Sequence, residues 1–202
     1  METEKSFNRM TGKDRKKQIL RVAQHVFAED NYYGATIARI AEEAHITEPT
    51  IYLYYKNKKD LFIAVIEDCA SFQLNALKRI INDADNLKDA LVNLIREEYN
   101  FITQVTPDIE KIMNMARIIN DPDIKACMLK FNSDVHELVK ENIEKGVEEG
   151  VIRDDVDSDA LSRILMGVVG GMRTMLLLEP PEAVDAIFIY AVDLFEKTIL
   201  RG

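Results

Sequence analysis

The chain of 202 residues has no tryptophan, two cysteines and three histidines, with only eight glycines and five prolines. So few helix breakers over that length favour long helices over many short strands. Cys69 and Cys127 stand far apart in sequence and neither belongs to a CxxC pair. That excludes a zinc ribbon or a dithiol redox motif and suits small core residues in a reducing compartment. His25, His45 and His136 are scattered without ligand spacing, so neither a metal nor another cofactor is expected. The patterns GxSxG, GxGxxG, GxxxxGK and HExxH are all missing, which removes the common nucleophile, phosphate-loop and metalloprotease chemistries. No apolar run reaches the length of a membrane span, and the opening METEKSFNRMTGKDRKK has no apolar stretch. The expectation is a cytoplasmic protein that is not an enzyme and does not engage a membrane.

What is present is an ordinary globular balance, 47% hydrophobic and 30% charged, with an uneven distribution of charge. Residues 1–60 hold 11 basic against 9 acidic side chains, and the remainder holds 15 against 26. A mildly basic head on an acidic body of net charge −9 can offer the head to a polyanion while the body stays soluble and repelled. The stretch ITEPTIYLYYKNKKDLF, residues 46–62, concentrates the contrast with four aromatics and three lysines.

Helix-start chemistry recurs along the chain. Thr11 with Asp14, Thr36, Thr47, Asn57 with Asp60, and Asn86 with Asp89 read as caps. Proline stands at a first helical position after Thr106, Asp121 and Glu179. With the apolar positions at helical spacing, these signals predict an all-α fold of about nine helices, over about 12–30, 37–44, 48–54, 58–82, 87–104, 107–119, 122–146, 158–178 and 180–200. Gly34 is expected to supply a left-handed turn after the first helix, and Gly146 and Gly150 to end the seventh. The short second and third helices, separated by a three-residue turn at Ala44 to Ile46, make a helix-turn-helix whose second helix would enter a DNA major groove.

The segment GATIARIAEEAHITEPTIYLYYKNKKDLF, residues 34–62, resembles the DNA-binding signature of TetR-family transcriptional regulators. The resemblance implies an N-terminal DNA-binding domain over 1–57 and a larger ligand-binding and dimerisation domain over 58–202, with the helix from 58 linking the two. It implies phosphate contact by Thr36 and Lys58, base-facing positions at Thr47, Glu48, Pro49 and Thr50, and contacts to backbone or bases by Tyr52 and Tyr54. Two positions depart from the family pattern. His45 replaces the usual turn glycine, although histidine tolerates left-handed backbone better than most residues. Glu48 replaces the common lysine or glutamine; it either accepts a hydrogen bond from cytosine or serves only as a helix-start residue.

The implied partners are a palindromic DNA operator, a second copy of the chain and a small hydrophobic ligand, an anionic one among the options. LMGVVGGMRTMLLL (165–178) and AIFIYAVDLF (186–195) are apolar around much of their circumference, which predicts a second buried face. The expected dimer interface holds Gly167, Gly170, Gly171, Ile187, Ala191 and Phe195, in a four-helix bundle. An elongated apolar pocket is expected to draw on Phe72, Tyr99, Ile102, Met113, Met128 and Phe131, each equally compatible with plain core packing. Arg117 and Arg173, each close to methionines, could hold the carboxylate or phosphate of a fatty acid or acyl-CoA, or could instead form internal ion pairs. A hydrophobic cation or drug is the alternative effector. An interaction scaffold and a metal-free helical enzyme are the alternative classes.

Overall fold

The computed structural model describes residues 11–86, 89, 90, 93, 107–175 and 178–200. Eight helices are defined among them: α1 (Gly12–Gly34), α2 (Ile37–Glu43), α3 (Glu48–Tyr52), α4 (Lys58–Asn82), α5 (Pro107–Ile118), α6 (Pro122–Glu148), α7 (Ser158–Met175) and α8 (Pro181–Ile199). The described residues contain no strand beyond one isolated bridge between Ile152 and Leu200. The fold is all-α, as the scarcity of breakers predicts. The helix expected over 87–104 falls almost wholly outside the described residues. Its start is nonetheless formed, with Asp89 N donating to Asn86 Oδ1 at 2.9 Å.

Local polar chemistry sets most helix starts. Thr11 Oγ1 accepts from Asp14 N at 3.2 Å, and Thr36 Oγ1 accepts from Arg39 N at 3.1 Å. Asn57 Oδ1 accepts from Asp60 N at 2.8 Å, while Asp60 Oδ2 reaches back to Lys56 N at 2.9 Å. Each bond satisfies a donor that the first helical turn leaves open. Pro107, Pro122 and Pro181 stand at the first positions of α5, α6 and α8, where a missing N–H costs nothing.

Two expectations need correction. The residue of positive φ near the end of α1 is Asn31, at φ 58° and ψ 175°, not Gly34. The Asn31 side-chain oxygen accepts from Tyr33 N at 2.9 Å and Gly34 N at 3.1 Å, which holds this strained kink in place. Thr47 occupies the N-cap position of α3 but makes no side-chain cap; its hydroxyl pairs with Thr50 Oγ1 at 2.9 Å.

The chain forms two compact units, one of residues 1–69 with 108–125, the other of 70–107 with 126–202. The first is built on a dry core from every helix of the head. Ile19, Ala23, Val26 and Phe27 from α1 join Ile40 and Ala41 from α2, Ile51 from α3, and Leu61, Phe62 and Ile66 from α4. Phe27 and Phe62 meet edge to face at 4.8 Å. Burying each of these large side chains contributes roughly 1.5–3 kcal/mol, which is what lets helices as short as α2 and α3 persist. α5 joins this unit through buried Ile109, Ile112, Met113 and Ala116. In the second unit, Ile143, Ile152 and Leu161 form one cluster with Phe195 and Leu200 against it; Met172 and Val184 form another with Val168 and Val192. Gly146 permits the first cluster, since a Cβ there would lie 2.7 Å from Ile152 Cδ1.

Candidate nucleic-acid interface

The turn between α2 and α3 decides whether a reading helix can be presented at all. His45 takes it at φ 52°, the left-handed geometry usually left to glycine. Ile46 N returns to Ala41 O at 2.9 Å and Gln18 Nε2 donates to Ala44 O at 2.9 Å, so the turn is closed by its own backbone and braced from α1. Only Ile51 of α3 is fully buried, and it fastens the helix to the core. Glu48 and Pro49 are exposed at the start of α3, and Thr50 is half-buried behind them. Tyr52 is 50% exposed and Leu53, which caps the C-terminal end, is 81% exposed.

Leu53 is the residue that family analogy passes over. A large apolar side chain projecting beside the reading helix can meet a thymine methyl, and its only sequence signal is that it interrupts a run of tyrosines. Tyr54 is half-buried, and a Cβ on Gly12 would lie 3.7 Å from its hydroxyl. Tyr55 is core, with burial pushing its hydroxyl pKa up to about 12.

The cations around the reading helix differ in availability. Lys58, at the start of α4, donates to Ala35 O at 3.1 Å and Tyr33 O at 3.5 Å, and its ammonium lies 4.9 Å from the centroid of the Tyr32 ring. It therefore fastens the junction of α1 and α2, close to the exposed Thr36. Lys59 is bound to Asp123 at 2.5 Å and Asp121 at 3.4 Å, which raises its pKa, the Asp123 bond most of all. Arg39 is ringed by Asp30, Glu29 and Glu43, and those bonds raise its pKa further above its usual value. His25 meets Asp108 at 3.1 Å and Glu29 at 3.4 Å; the Asp108 bond raises its pKa against a small opposing desolvation.

The pocket candidates are distributed as follows. Met113 is fully buried and Arg117 is exposed, donating to Asn114 Oδ1 at 2.5 Å. Met128 is buried, Phe131 and Arg173 are half-buried, and Phe72 is 40% exposed. Tyr99 and Ile102 lie outside the described residues. Among the dimer candidates, Ile187 is exposed, Ala191 is half-buried, and Phe195 packs on its own chain's core. At Gly167, Gly170 and Gly171 an added Cβ would meet no described atom within 4 Å beyond its own helix backbone and chain neighbours.

One further polar cluster has the residue types of a hydrolytic triad, with its hydroxyl buried away from any substrate. His136 Nδ1 lies 2.8 Å from Ser162 Oγ and Nε2 lies 2.9 Å from Asp159 Oδ1. Ser162 is fully buried, and its hydroxyl donates to His136 O at 3.1 Å. The Asp159 carboxylate accepts from Nε2–H, the Ser162 hydroxyl lies between Nδ1 and the His136 carbonyl, and the cluster staples α6 to α7. Among the described residues no group of three or more potential ligands could hold a metal, and no helix is long and apolar enough to cross a membrane.

A short helix, a left-handed turn and an exposed second helix on a shared core define a helix-turn-helix DNA-binding protein. Residues 19–65 match the family model described as bacterial regulatory proteins, tetR family. That match assigns the head to the DNA-binding domain of the TetR family of transcriptional regulators. The chain is 22% identical over 159 residues to the fatty acid metabolism regulator protein of Bacillus subtilis, spanning 75% of this chain and 78% of the relative. It is 24% identical over 163 residues to the HTH-type transcriptional repressor AcnR of Corynebacterium glutamicum, covering 80% and 81%. The crystal structure of the regulator FadR from Bacillus subtilis in complex with stearoyl-CoA superposes at a TM-score of 0.75 with 18% identity, covering 88% of this chain and 96% of that one.

Proposed function

We propose that this chain is a repressor that binds a palindromic operator as a homodimer and leaves it when a hydrophobic effector is bound. The observation that carries the DNA-binding part is the exposure of Glu48, Pro49 and Tyr52 on a helix whose one buried anchor, Ile51, leaves the rest of its surface to a groove. Thr36 and Lys58 supply phosphate contacts at one end of this surface. Thr47, Thr50 and Tyr54 supply hydroxyls along it. Repression is supported by the name of the Corynebacterium glutamicum relative.

Dimerisation is supported by the second unit. Ile164, Gly167 and Gly171 follow one another at helical spacing on exposed positions of α7, and Ile187, Tyr190 and Leu194 do the same on α8. A single chain leaves both stripes in water. A second copy with the same stripes would cover them and would use the glycines for close backbone approach.

The effector class we favour is a fatty acid or acyl-CoA. Its support is the name of the Bacillus subtilis relative, together with methionines that suit variable apolar guests and the cations Arg117 and Arg173 in their sequence neighbourhood. The effector would act by shifting the dimer towards a state whose two reading helices no longer match the operator spacing.

Two measurements test this reading. Selection from a random duplex library should enrich a palindrome, and Thr50→Ala should change which bases are preferred; enrichment of no common sequence would refute the operator. Calorimetry with fatty acids, acyl-CoAs and hydrophobic cations should show binding of the anions that weakens in Arg117→Ala or Arg173→Ala. Tight binding of cations indifferent to both arginines would overturn the anionic effector and leave a drug-type sensor.

A further inference from the structure

The head's positive charges divide into two sets. Arg39 and Lys59 are consumed internally, Arg39 by Asp30, Glu29 and Glu43, Lys59 by Asp121 and Asp123. An ion pair of this kind presents little net charge to a distant polyanion. Lys58 meets no described carboxylate but is drawn onto two carbonyls and a tyrosine ring, which leaves Lys56 as the exposed lysine of residues 56–59. The lysines beside the reading helix are therefore a weaker source of free charge than their number suggests.

The second set lies on the first turns of α1. Lys13, Lys16, Lys17 and Arg21 are exposed, and none forms an ion pair with a described acid. Residues 12–21 hold five basic side chains and one acid, Asp14, which is engaged with the Thr11 hydroxyl at 2.6 Å. Outside residues 1–21 no ten-residue stretch of this acidic chain reaches that balance. Lys13, Lys16 and Lys17 stand at i, i+3 and i+4, so their stems rise from one side of the helix.

Three contacts place this end of α1 against the reading helix. Gly12 lies beside the Tyr54 hydroxyl, 3.7 Å from where its Cβ would be. The Lys16 ammonium is 5.6 Å from the centroid of the Tyr55 ring. Gln18 holds the carbonyl of Ala44 just before the turn. Lys58 serves a different place, the junction of α1 and α2 near Thr36.

We infer that Lys13, Lys16 and Lys17 form a second phosphate-binding surface. They would hold the operator backbone next to the Tyr54 end of the reading helix and supply most of the salt-dependent part of the affinity. Flexible ammonium groups suit this task because they neutralise phosphates without reading sequence. This inference rests on the DNA-binding reading above and adds to it the identity of the charges that do the holding.

The experiment measures operator affinity by fluorescence anisotropy across a salt series, using the full chain and the palindrome from library selection. The variants are Lys13→Gln/Lys16→Gln/Lys17→Gln together, the single Lys13→Gln and Lys17→Gln, and Lys145→Gln as a surface control. The triple variant should flatten the log–log salt slope by roughly 3 to 5 per dimer, from about 0.9 per lost phosphate contact, and keep the wild-type sequence preference. Each single variant should flatten it by about 2 or less. The control should match wild type, and circular dichroism should show the same helix content throughout. A triple variant with the wild-type slope, on an operator the wild type binds, overturns this inference alone. A wild type that binds no duplex at all overturns the DNA-binding reading and this inference with it.

Discussion

The head and the α7–α8 region of this protein are helical in the same way and finished in opposite ways. In the head, short helices are closed by their own caps, the turn at His45 is braced by Gln18, and acids such as Glu29, Asp30 and Asp121 already have cations. Its core is complete within one chain, with Phe27, Ile40, Ile51, Leu61 and Phe62 all fully buried. On α7 and α8, Ile164, Ile187, Ile189, Tyr190 and Leu194 are each 45% exposed or more, and at three glycines an added Cβ would meet no described atom within 4 Å beyond its own helix backbone and chain neighbours. Glycine inside a helix costs about 0.5–1 kcal/mol relative to alanine and brings nothing to an uncovered surface. Three of them on one helix fit the close backbone approach that the dimer proposed above would need. Self-sufficiency goes with the part proposed to present a rigid reading surface, and incompleteness with the part proposed to pair.

The strongest way to break that comparison is to remove the head's central ring. Phe62→Ala deletes a side chain with no exposed surface that packs on Phe27 and Tyr32. It should cost about 3–5 kcal/mol and abolish operator binding through loss of the head's fold. Urea unfolding followed by circular dichroism reads the effect. A loss below about 1 kcal/mol would mean that the head is not the self-contained core described here.

The opposite manipulation on α8 should leave the fold and remove the partner. Tyr190→Asp with Leu194→Asp places two charges on positions that are 69% and 50% exposed in the single chain. An isolated chain should accept them almost without cost, whereas a dimer seam should lose about 2–4 kcal/mol, a 30- to 1000-fold weaker association. Sedimentation at micromolar concentration should find wild-type dimers and variant monomers of unchanged helix content. If the wild type sediments as a monomer, the open stripe has another purpose and the contrast between the two regions loses its meaning.

The same contrast explains what was legible in the sequence. The cap signals at Thr11, Thr36, Asn57 and Asn86 were readable because each is a bond between a side chain and a backbone three residues away. The prolines at the starts of α5, α6 and α8 acted through a missing donor, which is equally local. The turn at His45 was readable because few residues can occupy it. Pairing over long separations was hidden. Nothing near Lys59 indicates that Asp121 and Asp123 will claim it, and nothing near Tyr32 indicates that its N–H will point at Met115 Sδ, 2.9 Å away. The lysines of residues 56–59 are therefore alike in sequence, although the fold binds Lys59 to acids and rests Lys58 on two carbonyls beside Thr36. Conversely, the plain basic run at the start of α1 carries no family signature to single it out.

The smallest effect probes a buried polar group that the head leaves unsatisfied among its described residues. Tyr55 is 3% exposed and its hydroxyl is buried without a hydrogen-bond partner among the described residues. An unsatisfied buried hydroxyl costs about 1–3 kcal/mol, while the ring beneath it packs as well without the oxygen. Tyr55→Phe should therefore stabilise the protein by about 1 kcal/mol near neutral pH, with no change in operator preference. Alkaline pH should widen the gap. Burial, with Asp60 and Asp68 nearby, pushes the folded-state pKa from 10.0 up to about 12. The folded chain then keeps the proton that the unfolded chain begins to release at 10.0, so stability is fully present below that pH and falls as pH rises towards about 12. Phenylalanine removes this tyrosine share. Cys69, whose thiol burial likewise pushes from 9.0 up to about 12, keeps a share of its own, so the variant's decline should be shallower but not flat. Urea midpoints at pH 8 and pH 11 read both parts. A Phe variant no more stable than wild type at pH 8 would mean that solvent already satisfies the hydroxyl, and the head would be as complete in its polar groups as in its core.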